Sequence, residues 1–179
     1  MHTDCDDKGA CRPRTVVVGV DGSLCSLDAL RRAVDEAEAL DANVDVVLAY
    51  RPPVTADDVQ SLVRRYEHTF GPGLVLPSPT HDGLTEDTAR SRLQRWVQQA
   101  FPTERPKVLL RLIVRAGSPS EILLEASRAA DLLVVGVSGD SARSVEAIGS
   151  TARYCTTHCR CPVLVVRRDA DGDPGSGTG

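Results

Sequence analysis

The segment LLVVGVSG occupies residues 132–139, and nine residues separate it from the pair GS at 149–150. Its apolar first half predicts a buried β-strand, its glycines predict a loop, and the pair GS predicts the start of a helix. Glycine lets the backbone approach a ligand closely, and a helix N-terminus offers free N–H donors and a positive dipole end to an anion. The segment therefore predicts a strand–loop–helix unit with a phosphate-binding loop.

The rest of the chain shows the same alternation of short apolar runs and amphipathic segments. Strands are predicted at residues 15–20, 44–50, 108–114, 132–135 and 162–166. Because helical segments separate them, right-handed crossovers and a mostly parallel sheet are expected. The predicted fold class is α/β, an open, doubly wound five-stranded parallel sheet. Such sheets bind ligands beyond the carboxyl ends of their strands, where Asp21-Gly22 and Gly136 stand.

Four helices are predicted between the strands. The first two are recognised by apolar residues that recur on one face, which are Leu27, Leu30, Val34 and Ala37 in one and Ala89, Leu93, Trp96, Val97 and Ala100 in the other. The third is predicted to begin at Ser118 as its N-cap, with Pro119 at the first helical position and Glu121 completing a capping box. The fourth is predicted from about Ser150 to His158.

A length of 179 residues suits one domain with polar ends. Residues 1–14 are aperiodic and predict a flexible arm, and residues 15–168 predict the domain itself. Residues 169–179 have the composition of a disordered tail. Within the domain, residues 51–84 are the least regular part, where a helix at 57–68 and a loop at 71–83 are the best interpretation.

Composition excludes several classes of function. The net charge of -4 argues against a general nucleic-acid-binding protein, which needs a basic surface. No run of about 20 apolar residues is present, so no membrane span is predicted. The first seven residues lack the apolar segment of a signal peptide. We therefore expect a cytoplasmic protein whose six cysteines are thiols rather than disulfides.

The choice of basic residues limits how a phosphate can be bound. Lys8 and Lys107 are the only lysines, and neither lies between a glycine and a serine or threonine. A P-loop of the Walker A type is therefore absent. Backbone N–H groups, hydroxyls, a metal ion or arginine must bind any phosphate, and Arg143 in the glycine-rich loop is one candidate.

The cysteines near the C-terminus form a second group of interest. Cys155, Cys159 and Cys161 stand close to His158, and zinc accepts cysteine and histidine ligands. However, Cys155 and Cys159 share helical spacing with Ala152, which predicts that both thiols pack inward as small apolar groups. Burial is the favoured interpretation, and metal coordination is the alternative.

Three stretches resemble the universal stress protein family, especially its nucleotide-binding branch. VVVGVDGS at 16–23 looks like the first strand and loop, Gly136-x2-Gly139-x9-Gly149-Ser150 fits the ATP-binding signature, and CPVLVV at 161–166 looks like the closing strand. The resemblance covers most of residues 15–167. It implies an adenine nucleotide alpha hydrolase-like, Rossmann-like fold with strand order 3-2-1-4-5. It also implies a homodimer formed through the last strand.

The resemblance assigns roles to nine residues by their position. These are Val20, Asp21 and Tyr50 beside the adenine and ribose, Gly136, Ser138 and Gly139 near the ribose and phosphates, and Gly149, Ser150 and Thr151 as phosphate donors. Two of them depart from the family pattern. Thr151 stands where an apolar residue is common, and its hydroxyl can also donate. Tyr50 stands where a small aliphatic residue is usual, so it either stacks on adenine or crowds the pocket.

These features lead to a first hypothesis, an ATP-binding regulatory protein of the stress response. With Mg2+ or Mn2+, it would act as a nucleotide-sensitive dimeric switch for an unknown protein partner. No strong catalytic base is recognised in the sequence, so ATP hydrolysis, if any, is expected to be slow. Two alternatives stay open, a nucleotide-free dimeric scaffold of the same fold and a thiol or metal sensor. Neither nucleic acid nor a membrane is expected as a partner.

Overall fold

The structure is a computed structural model that describes residues 12–55, 60, 83–103, 105–137 and 148–167. Strands and helices alternate along these residues as the sequence predicts. The elements in chain order are β1 Thr15–Gly19, α1 Leu24–Leu40, β2 Asn43–Tyr50, α2 Glu86–Ala100, β3 Leu110–Ala116, α3 Pro119–Ala126, a short 3-10 helix Ser127–Ala129, β4 Leu132–Gly136, α4 Ser150–His158 and β5 Val163–Val166.

The five strands form one parallel sheet in the order β3-β2-β1-β4-β5. This order confirms the predicted topology. β1 lies at the centre, and its three consecutive valines are fully buried because helices cover both faces of the sheet. Val16 pairs with Leu132 and Val18 with Val134, so β1 and β4 end side by side. The chain therefore leaves both strands at the same edge of the sheet.

Helices α1 and α2 cover one face of the sheet, and α3 and α4 cover the other. Leu30 of α1 and Leu93 of α2 lie in the core of the first face, while Leu123 of α3 and Ala152 of α4 lie in the core of the second. The four apolar residues that predicted α1 are all buried, which confirms its helical period. No helix within the described ranges is both long and apolar enough to cross a membrane.

Strand β3 lies two residues further along the chain than its apolar run predicts. It spans Leu110–Ala116 rather than residues 108–114. Leu109 is 60% exposed, and its carbonyl accepts a hydrogen bond from Val44 N–H at 2.9 Å as pairing with β2 begins. The ladder then continues through the last residue of β2. Pairing with β2, rather than hydropathy alone, therefore sets the bounds of β3.

The helices begin in different ways. α1 is capped by Ser23, whose hydroxyl accepts from the N–H three residues further on at 3.2 Å. α3 follows Ser118 as predicted, but the Ser118 hydroxyl makes no capping hydrogen bond and lies 3.0 Å from Ser120 Oγ. The capping box predicted with Glu121 is therefore wrong at its serine, because the neighbouring hydroxyl engages that side chain. α4 follows Gly149, which has no side chain to form a cap.

Several predictions concern residues outside the described ranges. They include the helix at 57–68 apart from residue 60, nearly all of the loop at 71–83, the first eleven residues and the tail at 169–179. The described end of the predicted arm is bound to the domain. Arg14 accepts from Asn43 N–H at 2.9 Å through its carbonyl, and Arg12 pairs with Asp131 at 3.5 Å.

Candidate functional site

Two chain segments meet at the carboxyl edge of the sheet, one after β1 and one after β4. The first is the β1–α1 loop, residues 20–23. The second is the start of α4, which a hydrogen bond from Gly149 N–H to the carbonyl of Val137 ties to the end of β4 at 2.7 Å. Because β1 and β4 are adjacent and parallel, the two segments flank one edge position. This is the position at which open α/β sheets bind their ligands.

The β1–α1 loop is held from within by two serines. Ser26 Oγ accepts from the N–H groups of Asp21 and Gly22 at 3.3 and 3.2 Å, and it donates to the carbonyl of Ser23 at 2.8 Å. Asp21 Oδ1 accepts from Ser23 N–H at 3.0 Å and from its hydroxyl at 2.6 Å. The loop amides are thus used inside the protein. What this loop offers a ligand is the exposed carboxylate of Asp21, of which Ser23 engages Oδ1.

Gly22 is held from outside the loop by an aromatic ring. Its φ of +89° lies in the region that side-chain-bearing residues rarely adopt. A Cβ added at Gly22 would lie 2.5 Å from Cε2 and 3.0 Å from Cη2 of Trp96, so the indole of α2 occupies that side of the loop. Conformation and packing therefore both require glycine at this position.

Gly136, the last residue of β4, lies against the first turn of α1. A Cβ there would be 3.0 Å from the carbonyl carbon of Cys25 and 3.1 Å from its oxygen. This contact gives a structural reason for glycine at a position that the sequence assigned to ribose and phosphate binding. The close approach also fixes the end of β4 beside the start of α1.

The start of α4 is the more open of the two segments. Gly149 has φ -60° and ψ 157° as the N-cap, and its own N–H is already bonded to β4. The next amides, of Ser150, Thr151 and Ala152, have no acceptor among the described residues. The first turn carries no acidic residue. Free N–H donors and the positive end of the helix dipole make this segment suited to an anion.

Tyr50 and Val20 lie at the ends of neighbouring strands. Tyr50 is half-buried and packs against the core on the face of α1 and α2, and its carbonyl accepts from Gly117 N–H at 2.9 Å. Val20 is buried, and its N–H donates to the carbonyl of Val47 at 2.9 Å. The core therefore holds both residues, and the Tyr50 ring borders the carboxyl edge of β2.

Six of the nine predicted site residues lie just after β1, at the end of β4 or at the start of α4, and Tyr50 is the last residue of β2. The remaining two, Ser138 and Gly139, lie outside the described residues, as does the candidate Arg143. Within the described part of the chain, no group of three or more His, Cys, Asp or Glu side chains is arranged to hold a metal ion.

The C-terminal cysteines lie in the second half of α4 and just after it, away from its start. Cys155 is fully buried, as predicted, and burial together with the adjacent Cys159 raises its pKa to about 12. Cys159 is half-buried, with its Sγ 3.3 Å from Ser127 Oγ. Burial also raises the pKa of Cys161. The raised pKa values favour the protonated, unreactive form of Cys155 and Cys161, because only a thiolate is a good nucleophile or metal ligand.

Sequence reasoning missed three residues that shape the site. Ser23 and Ser26 hold the β1–α1 loop, and Trp96 packs on it. The spacing of the two serines at the start of a helix is a recognisable capping signal. Trp96 gave no such signal, because a tryptophan on the apolar face of an amphipathic helix is typical of a core residue.

The strand order and the helical crossovers define an open, doubly wound α/β domain in which β1 and β4 end side by side. Residues 13–167 match the sequence pattern of the universal stress protein family. The chain therefore belongs to the universal stress protein family.

Similar proteins of known sequence come from Mycobacterium tuberculosis. Universal stress protein Rv2624c is 27% identical over 165 residues, a match that covers 92% of this chain and 52% of the relative. Universal stress protein Rv2623 is 31% identical over 152 residues, covering 85% and 44%. The chain thus spans about half the length of these relatives.

Solved structures share the fold. The universal stress protein UspA from Lactobacillus plantarum aligns with a TM-score of 0.59 at 23% identity, covering 88% of this chain and 100% of that one. A universal stress protein solved in complex with cAMP aligns with a TM-score of 0.54 at 26% identity, covering 87% and 98%. An adenine nucleotide is therefore bound by a relative of this fold.

Proposed function

We propose that this chain is an ATP-binding regulatory protein of the family's nucleotide-binding branch, and that it acts in the cytoplasm as a dimeric switch. The observation that carries the proposal is the start of α4, which has no side-chain cap and lies at the same edge of the sheet as Asp21. One segment offers N–H donors for phosphate, and the other offers an acceptor for the hydroxyls of a ribose. The relative solved with cAMP supports an adenine nucleotide as the ligand.

In the proposed complex, the phosphates rest on the loop from Gly136 and on the amides of Ser150 and Thr151, while Gly149, whose own N–H is bonded to the carbonyl of Val137, allows them to approach closely. Mg2+ or Mn2+ enters with the nucleotide, because a divalent ion bound to phosphates needs few protein ligands. Asp21 and Tyr50 face the ribose and adenine. The sequence offers no strong catalytic base for attack on the γ-phosphate, so we expect slow hydrolysis and a role based on binding.

The switch requires that ATP binds two states of the protein with different affinity. The proposed readout is a homodimer formed through β5. Among the described residues this strand pairs only with β4, which leaves its other edge without a partner strand there, and all four of its residues are partly exposed. An apolar, β-branched edge of this kind favours pairing with a second strand. An unidentified protein would then recognise the nucleotide-loaded dimer.

Calorimetry with ATP and Mg2+ tests the nucleotide site. Wild type should bind, and Gly149→Val and Gly139→Val should each lose on the order of tenfold or more in affinity, because a branched side chain blocks close approach of phosphate. Ser118→Val is the matched control, since it changes the N-cap of α3 rather than that of α4. Equal affinity in all four proteins would refute the site assignment.

Sedimentation at micromolar concentration tests the dimer. Val165→Asp places a charge in the unpaired edge strand and should shift the protein toward the monomer, because burial of an unpaired carboxylate is unfavourable. Leu109→Asp is a suitable control, since Leu109 is 60% exposed beside the opposite edge strand. A monomeric wild type would contradict the dimer and leave the nucleotide proposal standing.

A further inference from the structure

Trp96 is the only tryptophan of the chain, and it lies on the β1–α1 loop rather than deep in the core. The three atoms nearest to a Cβ built on Gly22 all belong to its indole ring. Because Gly22 follows Asp21 directly, the ring packs one residue away from the carboxylate that faces the ligand edge.

The loop has little freedom to move independently of this ring. Its inner side is fixed by Ser26, which binds the N–H groups of Asp21 and Gly22 at 3.3 and 3.2 Å. Its outer side meets Trp96. A loop held on both sides moves with the groups that hold it, so a shift of the indole changes the position of the Asp21 carboxylate.

Trp96 in turn belongs to a helix with a second attachment to α1. Arg31 Nε of α1 donates to the carbonyl of Ala100, the last residue of α2, at 3.2 Å. Trp96 lies one helical turn before Ala100. The final turn of α2 therefore contacts α1 at one point and the β1–α1 loop at another. The position of α2 on α1 and the conformation of the loop are thus linked.

We propose that Trp96 is a positioning residue for the nucleotide site. Its indole holds the β1–α1 loop in the conformation in which Asp21 contacts the ligand, and this couples ligand binding to the position of α2 on α1. The choice of ligand rests on the proposed function. Coupling of this kind works in both directions, because a ligand that prefers one loop position also favours the corresponding position of the helix.

The test compares two truncations of the same helix end. Trp96→Ala removes the ring from Gly22, whereas Phe101→Ala removes an aromatic residue that packs on the same core cluster one residue beyond α2. Trp96→Ala should weaken ATP binding on the order of tenfold, and Phe101→Ala should leave it near wild type. Trp96→Phe should recover much of the loss because a ring still covers Gly22.

Two readouts separate positioning from general stability. In wild type, ATP should change the emission of Trp96 with the midpoint that calorimetry gives. Without ligand, Trp96→Ala should raise amide exchange at Asp21 and Gly22 on the order of tenfold over Phe101→Ala. Equal affinities and equal exchange in the two variants would overturn the inference while ATP binding by wild type stands. If wild type binds no ATP, the proposed function fails, and the exchange comparison alone decides whether Trp96 holds the loop.

Discussion

The β1–α1 loop and the start of α4 lie at the same edge of the sheet but are built in opposite ways. In the first, Ser23 and Ser26 occupy the backbone donors and one oxygen of Asp21. In the second, the N-cap is Gly149, and the amides that follow have no acceptor among the described residues. In the first segment, side chains of the protein accept hydrogen bonds from the backbone N–H groups. In the second, a ligand or water can accept them.

This difference teaches where each segment carries its chemistry. A loop whose amides are used internally can meet a ligand only through what remains exposed, here the carboxylate of Asp21. A helix start without a capping side chain meets a ligand through its backbone. Substitutions in the first segment should therefore act mainly on stability, and substitutions in the second mainly on binding. Four predictions test that division.

The largest effect is expected at the two glycines. Gly22→Ala should lower the free energy of unfolding by about 3 kcal/mol, because it combines a strained positive φ with overlap on Trp96. Gly149→Ala should lower it by less than about 1 kcal/mol, since a φ of -60° suits alanine and glycine caps a helix only moderately better. Urea denaturation of both variants measures the difference.

Gly117→Ala serves as the control for conformation without crowding. Gly117 also has a positive φ, of +140°, but a Cβ there would only touch Ile122 at 3.4 Å. Its loss of stability should therefore fall between the other two. Equal losses of unfolding free energy in Gly22→Ala and Gly149→Ala would contradict the proposed difference between the two segments.

The second prediction concerns Ser26, the serine whose hydroxyl accepts hydrogen bonds from the amides of the β1–α1 loop. Ser26→Ala should lower the free energy of unfolding by about 2 kcal/mol, because it leaves the N–H groups of Asp21 and Gly22 without their acceptor in a nearly buried site. Urea denaturation gives the change. A loss below about 0.5 kcal/mol would mean that water replaces the hydroxyl and that the loop is not satisfied from within.

The sequence predicted the sheet well because its strands are short apolar runs between clear helical periods. The order of the strands and the position of α4 followed from that pattern and from the family resemblance, and both are confirmed. The bounds of β3 were missed because the apolar run at 108–114 does not reveal which residues pair with β2.

Less of the candidate site could be predicted. The spacing of glycines located the start of α4, but it did not distinguish a glycine that faces a ligand from one that faces a helix. Gly136 lies against Cys25, a contact between residues more than a hundred positions apart. The packing of Trp96 on Gly22 also joins distant residues, which are more than seventy positions apart. Contacts of this kind depend on how α1 and α2 dock, which periodicity does not encode.

The third prediction separates the buried face of α4 from its start. Cys155→Ala should lower the free energy of unfolding by about 1 kcal/mol or somewhat more through lost packing, and Cys159→Ala by less because its thiol is only half-buried. ATP affinity should stay unchanged, since the donors at the start of the helix remain. Rapid labelling of Cys155 in the native protein would contradict this and favour a sensor role for the thiols.

Cys155 also gives the chain a pH dependence with a defined sign. Its pKa rises from 9.0 to about 12 on folding, so the folded state retains the proton more strongly than the unfolded state. The resulting stability is fully present below pH 9 and is lost as the pH rises toward 12, by at most about 1.4 kcal/mol per pH unit. The difference in unfolding free energy between wild type and Cys155→Ala should therefore shrink above pH 9.

The smallest effect on stability is expected at the start of α3. It tests whether the lack of a side-chain cap is peculiar to α4. Ser23 caps α1 with a hydrogen bond at 3.2 Å, whereas Ser118 precedes α3 without one. Ser23→Ala should lower the free energy of unfolding by about 1 kcal/mol, and Ser118→Ala by no more than a few tenths, about 0.3 kcal/mol, because only the first removes a cap. Thermal and urea denaturation of the pair provide the measurement. If Ser118→Ala costs as much as Ser23→Ala, its hydroxyl caps α3 in solution, and an uncapped helix start is not by itself what distinguishes α4.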